Sequence, residues 1–543
     1  MFAEQVQVLI VGAGGGGLAL SLLLLQQGIH PLVVERRETI SWYPRARNLN
    51  FRTMEVFRSL GLSDDIHAAG GHVSRIFARE YLASRKEQEV LDPASLLNTE
   101  ALSPEPFMWY CPQSRLEPIL LTAARRRGAD VRYSTELVDF TPDDHGVTAT
   151  LRDRSTRQSH VVRAQFLVGA DGAHSRVREA LRVPTQGAGA LDEHAVFIYF
   201  RAAWDEFIEG HENDAFLIEN SDVRGMFLVA EKNLGMFAVM QRKPEEEMSR
   251  ERAAELLKKA IGQPGLEFDV VDVASWQPEQ RVAEHFQDGR VLLLGDAAHT
   301  MPPKEGLGVN TAIQSAQNLG WKLASVLMGR AAPALLSTYE TERRPVAWFS
   351  AKYSMTGAGA ALLENTAFKA KASAFFPIVG YRYRSPAVLS EDAASEPPAE
   401  IALLDGEELT GIPGTRVPHV WLERQARRIS TLDLLDGQFI LLCGNESAQW
   451  GDKVTRDARA FGVKVALYRI GPGGDLQDPS GEWAQRVGVG SSGAVLLRPD
   501  GFVAWRGHDI VSAPEELDQV LSRILCRAAP AIAGASERQA VSR

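Results

Sequence analysis

The sequence predicts an α/β protein of more than one domain: a parallel sheet, a separate antiparallel sheet, and a further strand-rich region toward the C-terminus. Three observations predict it. A β-branched run at residues 6–11 passes through Gly12, Gly14, Gly15, Gly16 and Gly17 into a leucine-rich helical run at residues 18–25. Residues 165–172 (QFLVGADG) and 290–299 (RVLLLGDAAH) each repeat an apolar strand that ends in a Gly and Asp turn. Residues 185–280 alternate apolar and polar positions with glycine punctuation, the period of a sheet buried on one face.

Bulk properties bound the function. The chain has 543 residues, well beyond the roughly 250–300 at which a single core stops growing, so several domains are expected. A net charge of -10 with interspersed signs argues against a nucleic-acid partner, which needs a concentrated positive field. Cys111, Cys443 and Cys526 are far apart, and the sequence suggests neither disulfides nor a metal site. The apolar stretch at 18–25 is too short to span a bilayer and no basic region precedes it. A soluble cytoplasmic protein with no membrane or nucleic-acid partner is expected.

The glycines carry the first chemical argument. Gly12, Gly14 and Gly17 form GxGxxG between a strand and a helix that ends near Gly28, and a second strand at 31–34 ends at Glu35, followed by Arg36. A pyrophosphate sits on a helix N-terminus only where no Cβ blocks its approach, and an acid at the tip of the second strand can accept from ribose hydroxyls. This unit alone leaves NAD and FAD open. The later turns extend the set: Asp171 and Gly172 precede Ser175 and Arg178 on a new helix, and Gly295 and Asp296 precede small residues that let a ligand lie against the chain.

With these motifs in this order, the sequence resembles the class A FAD-dependent aromatic monooxygenases, the family of para-hydroxybenzoate, phenol and polyketide hydroxylases. PQSRLEPIL at 112–120 is similar to the family's Q-x-x-L-E segment, in which Gln113 would contact FAD. Residues 43–62 resemble the segment whose arginine, here Arg45, reaches the diphosphate. Residues 295–327 resemble the isoalloxazine segment. The resemblance implies that Asp296 bonds the ribityl chain and that Pro302 and Pro303 line the ring. It also implies that Gly306, Leu307, Gly308, Val309 and Asn310 carry backbone amides to the pyrimidine edge, where a helix N-terminus stabilises negative charge. Glu305 and Leu307 depart from the family's glycine and glutamine.

The resemblance implies a Rossmann-like FAD-binding domain of GR2 type (1–75, 110–184 and 281–390), a substrate-binding β-sheet domain (76–109 and 185–280), a thioredoxin-like domain without CxxC (401–526), and a mobile tail (527–543). Tyr199, Arg201, Phe216, Arg224, Phe227 and Phe237 are candidate pocket residues on the sheet. His194, His211, His285 and His299 offer no constellation, so no catalytic acid or base is assigned. Residues 385–400 are rich in Pro, Ser and acids and read as a linker. The implied activity is hydroxylation of an activated phenolic or polyketide-like ring through a flavin C4a-hydroperoxide, with NADPH or NADH as reductant, O2 as co-substrate and a homodimer as a further possibility. Baeyer–Villiger oxygen insertion is the alternative on the same scaffold. A non-catalytic flavin-binding protein and an NAD-dependent dehydrogenase are the readings from other classes.

Overall fold

In the computed structural model, the described residues are 4–44, 46–72, 75–92, 99–231, 233–242, 248–303, 306–356, 378–390, 402–403, 410–446, 450–508 and 516–527. Arg45, Glu305 and the expected tail beyond 527 lie outside them. Contacts divide the chain into two compact units: Met1–Leu25, His30–Ala316 and Val346–Ile378 form the first, and Gln26–Ile29, Gln317–Pro345 and Val379–Arg543 the second. The expected 281–390 segment is therefore shared, with 317–345 joining the C-terminal part.

The first unit is built on an eight-stranded sheet. Its central strands Val291–Leu293, Ser159–Gly169, Glu4–Val11, Leu32–Val34 and Asp130–Arg132 pair in parallel in that order. Val8 to Ile10 and Leu32 to Val34 are fully or almost fully buried, as β-branched strands covered on both faces must be. Helix Gly15–Gln26 follows the first strand and is buried over nearly its whole length, so it is apolar all round rather than striped. The register aligns Val11 with Gly169 and Val34, and Gly169 with Leu293. Four strands thus finish together. Gly12, Glu35, Asp171 and Gly295 leave from one carboxyl edge.

A seven-stranded sheet forms the other half of this unit, in the order Phe268–Trp276, Glu193–Ala202, Leu234–Arg242, Arg224–Glu231, Ala215–Glu219, Ile76–Arg79, Gln88–Leu91. The expected antiparallel pattern holds except where Ala215–Glu219 pairs in parallel with Ile76–Arg79, a strand arriving from far upstream. Residues at the start of the alternating region, Thr185–Ala190, belong instead to a separate three-stranded sheet. Helix Arg250–Ile261 starts at Ser249, whose hydroxyl accepts from the Arg252 amide, and stops at Gly262 with φ +72. Its Ala253, Leu257, Ala260 and Ile261 join the sheet's core of Phe200, Trp204, Phe216, Phe227 and Phe237.

In the second unit, strands Phe439–Gly444, Val465–Ile470, Ala494–Leu497 and Val503–Gly507 make a four-stranded sheet. The first two are parallel with helix Trp450–Phe461 between them, and the last two add antiparallel on the other side. The start of the expected linker is packed here: Ala387 and Val388 are buried, and the Leu389 amide donates to the Ala504 carbonyl. Residues 391–401 lie outside the described residues.

Candidate cofactor and substrate site

The glycine loop is shaped by what a side chain would strike. Gly12 has φ +112, and a Cβ there would lie 2.2 Å from the Ala170 carbonyl oxygen, while at Gly17 it would lie 2.0 Å from the Gly12 carbonyl. Those two glycines serve the packing of strand on helix. Gly14 differs. A Cβ there would meet only Glu117 Oε1, at 3.7 Å, so the space before the helix is open to a ligand. Gly15 faces Val309, and Gly16 and Gly295 face Ala312, each at 3.2–3.4 Å from an added Cβ. The glycine loop and helix Gly308–Leu327 are thereby held together.

Around the loop the charges are ordered. Glu35 Oε2 accepts from the Ala13 amide at 3.0 Å, and Oε1 accepts from the Arg37 amide and Nε, both at 3.0 Å. Burial pushes this carboxyl up, yet the bonds from Arg37 and Ala13 outweigh it and hold it below its ordinary value. Arg36, beside it, is exposed, and its carbonyl accepts from Arg154. Gln113 points its amide at Glu117 Oε1, 2.5 Å away.

The Asp-Gly turns act differently from one another. Asp171 is spent inside the chain: Oδ1 accepts from Ser175 Oγ at 2.5 Å and Oδ2 from the Val177 amide at 3.2 Å, setting the start of helix Arg176–Ala180. Arg178 on that helix donates to the Ala297 carbonyl at 2.9 Å and the Ala173 carbonyl at 2.8 Å, tying the two turns together. Gly172 has φ +88 with nothing within 4 Å of an added Cβ. Asp296 is exposed on the turn Gly295–Ala297 at the sheet's carboxyl edge, free of the burial that encloses its neighbours.

The segment expected under the flavin ring is also resolved into roles. Pro302 is buried and Pro303 exposed, and Gly306, with φ +64, donates its amide to the Pro303 carbonyl at 3.0 Å. Leu307 is 3% exposed in an apolar cluster with Met301, Phe349 and Tyr353, which is why a leucine stands there. Helix Gly308–Leu327 begins next, so the Gly308, Val309 and Asn310 amides fall in its first turn, where no intrahelical acceptor exists. The Asn310 side chain is structural: Oδ1 accepts from the Asn50 amide, and Nδ2 donates to the Asn48 and Gly306 carbonyls at 3.0 and 2.7 Å.

The sheet corrects the pocket expectation. Phe216, Phe227 and Phe237 are directly paired across neighbouring strands and each is 0% exposed, so they form one row of the core behind the sheet, packed with helix Arg250–Ile261. Arg224 is exposed and 3.6 Å from Glu219. Arg201 is exposed near the strand's end. Tyr199 lies on the opposite face and its ring meets Trp42 and Tyr43, centroids 5.3 and 5.2 Å apart, while the Tyr43 hydroxyl donates to Asp272. The register puts Phe197, Leu217, Met226, Leu228, Met236 and Ala238 on that same face. All but Met236 are only partly buried. The strand period was the signal for them, since each sits one position away from a chosen phenylalanine or one period from Tyr199.

Among the histidines, His211 is held between Asp214 at 2.8 Å and Glu87 at 3.3 Å, away from the glycine loop's own set of partners. No group of three or more His, Cys, Asp or Glu suited to a metal occurs among the described residues.

A parallel sheet whose carboxyl edge carries an open glycine cradle, a buried carboxylate at the tip of the second strand and a second helix N-terminus is the arrangement of a dinucleotide-binding fold. Residues 5–353 match the FAD binding domain family and residues 410–528 the aromatic-ring hydroxylase C-terminal family. The chain is 37% identical to the tetracenomycin B2 monooxygenase-dioxygenase of Streptomyces olivaceus, over 96% of this chain and 99% of that one. It is 36% identical to the 4-methyl-5-nitrocatechol 5-monooxygenase of a Burkholderia species, over 96% and 98%. A crystal structure of aklavinone-11 hydroxylase with FAD and aklavinone superposes with a TM-score of 0.87 at 34% identity, covering 97% of this chain and all of that one. The chain belongs to the FAD-dependent aromatic-ring hydroxylases. It is a flavoprotein monooxygenase that uses FAD with NAD(P)H as reductant.

Proposed function

We propose that this chain hydroxylates an electron-rich, fused-ring phenolic substrate held against the partly open apolar face of the seven-stranded sheet. The observation that carries this reading is the run of Phe197, Leu217, Met226, Leu228 and Ala238 on one face, bordered by Tyr199 and Trp42. Flat apolar surfaces and flexible methionine suit a broad planar ring, and few polar groups compete for it. Tetracenomycin B2 and aklavinone in the relatives' names agree with that class, whereas 4-methyl-5-nitrocatechol is a single-ring phenol.

FAD, when bound, supplies the redox chemistry: it accepts hydride from NAD(P)H and activates O2 for insertion into the ring. The chain's residues bind and orient. The amides before helix Gly15–Gln26 hold the diphosphate, with Glu35 toward the adenosine ribose and Gln113 beside the loop. Asp296 stands toward the ribityl chain, and the first-turn amides of Gly308, Val309 and Asn310 favour negative charge at the ring's pyrimidine edge. The sheet face keeps water from the reacting ring.

The finer architecture is part of the same proposal. The first unit's parallel sheet supports a GR2-type Rossmann-like assignment with residues 76–109 and 185–280 as substrate domain. In the C-terminal unit, the order strand, helix, strand, helix, two strands, helix supports a thioredoxin-like fold. Of its two cysteines, Cys443 and Cys526, Cys443 is buried and its thiol donates to the Tyr468 carbonyl, so a structural role is proposed for it. A cytoplasmic location is supported by the need for NAD(P)H and by three free thiols. No helix among the described residues is long and apolar enough to cross a membrane.

The test is turnover with a panel of polycyclic phenols and ketones. Substrate-stimulated NAD(P)H oxidation with one added oxygen at a ring carbon is expected. A lactone product, or stimulation by single-ring phenols alone, would overturn the proposal.

A further inference from the structure

We propose that Glu117 meets the FAD diphosphate as a neutral carboxylic acid, so that the chain takes up one proton at this side chain on loading the cofactor. The proposal rests on the glycine loop being the diphosphate site. Glu117 lies on helix Gln113–Arg126 and is 1% exposed. Its Oε1 accepts from Gln113 Nε2 at 2.5 Å and stands 3.7 Å from where a Gly14 Cβ would be, which is the opening left for phosphate. Its carboxyl also faces the Gly15 amide, one of the same donors an anion would use.

The groups that face it lie on its own helix and on three other elements. Gln113 comes from its own helix, the Gly15 amide from the glycine helix, Glu35 and Arg37 from the end of the second strand, and Tyr133 from the end of strand Asp130–Arg132. Arg37 is the one cation facing it among the described residues, and Arg37 already pairs with Glu35 at 3.0 Å. Among the described residues, a second anion at this loop thus meets a buried carboxyl whose facing cation, Arg37, is shared with Glu35. Burial pushes the Glu117 carboxyl up, and Glu35 adds to this, against the opposing bonds from Gln113, Arg37 and Gly15. A phosphate at the loop adds like charge and raises it further. Protonation resolves the conflict: the carboxylate takes a proton from hydronium or buffer, whose bond to it breaks as the new O–H forms, and that O–H donates to a phosphate oxygen with no change of oxidation state.

Full-length apoprotein titrated with FAD by flavin fluorescence between pH 6 and 9 tests this, together with calorimetry in two buffers of different ionisation enthalpy. The expected result is an affinity that falls up to ~10-fold per pH unit over part of that range, with up to one proton taken up per FAD. Glu117→Gln, uncharged and a donor, is expected to bind with the wild-type low-pH affinity and no slope. PH-independent FAD binding without proton uptake overturns the proposal, as does a slope that persists in Glu117→Gln. Should that variant not fold, proton uptake by the unaltered chain decides alone. Absence of FAD binding at every pH would overturn the diphosphate assignment itself, and this proposal with it.

Discussion

At the scale of single residues, the glycines of the loop divide by what surrounds them. Gly17 touches the Gly12 carbonyl, so Gly17→Ala forces strand and helix apart and is expected to cost about 1–3 kcal/mol, read as a lower thermal midpoint of flavin-free protein. Gly12, at φ +112, adds backbone strain to a similar clash. The spacing of Gly12, Gly14, Gly17 and Glu35 was legible because a strand and helix packed this closely, with an open approach at Gly14, demand particular residues at particular offsets. Asp171 and Asn310 show the limit of such reading. Both occupy motif positions, yet their side chains are consumed by Ser175, Val177, Asn50, Asn48 and Gly306, partners that only the fold brings near.

At the scale of elements, the phase of one strand period decides which residues are core and which line the partly open face. Phe227→Ala removes a ring from the core behind the sheet and is expected to destabilise by about 3–5 kcal/mol, with KM of the surviving folded enzyme unchanged. Leu228→Trp, on the partly open face, is expected to leave the thermal midpoint within a few degrees while raising KM for bulky substrates tenfold or more; an unchanged KM would remove Leu228 from the pocket. The alternation that revealed the sheet was plain in the sequence, but not which phase faces the ligand. Aromatic side chains suggested a pocket, whereas Phe216, Phe227 and Phe237 fill the larger volume under helix Arg250–Ile261. Helix Arg250–Ile261 was the missing information, because its packing face fixes which side of the sheet is core.

At the scale of the whole molecule, the C-terminal unit is fastened by a buried ionic network. Glu342 accepts from Lys322 Nζ at 2.8 Å and from Arg498 Nη1 and Nη2 at 2.6 and 2.9 Å, and Arg498 also pairs with Asp500. Arg498 and Asp500, beside the turn at Gly501, thus join residues of two helices, Gly308–Leu327 and Ser337–Thr356. Burial pushes the Glu342 carboxyl up, but Arg498 and Lys322 override it and hold it well below its ordinary 4.5, while burial draws Lys322 down to about 8. A depressed folded value means that the stabilisation from Glu342 is present above pH 4.5 and lost as pH falls below it. Glu342→Gln leaves buried Lys322 without its carboxylate and Arg498 with Asp500 alone, and is expected to cost about 3–5 kcal/mol near neutral pH, with the difference from the unaltered chain narrowing toward pH 3 in calorimetric melts.

The division of the first unit into a cradle for the cofactor and an apolar sheet for the ring depends on the diphosphate lying in the opening before helix Gly15–Gln26. Gly14→Val measures that most directly, because in the protein alone an added Cβ there meets only Glu117 at 3.7 Å. The account predicts that apoprotein of this variant melts with the unaltered apoprotein but binds FAD at least ~100-fold more weakly, about 2.7 kcal/mol or more by the tenfold-per-1.4 kcal/mol rule. A Gly14→Val chain that purifies with full flavin occupancy and unaltered FAD affinity would contradict it.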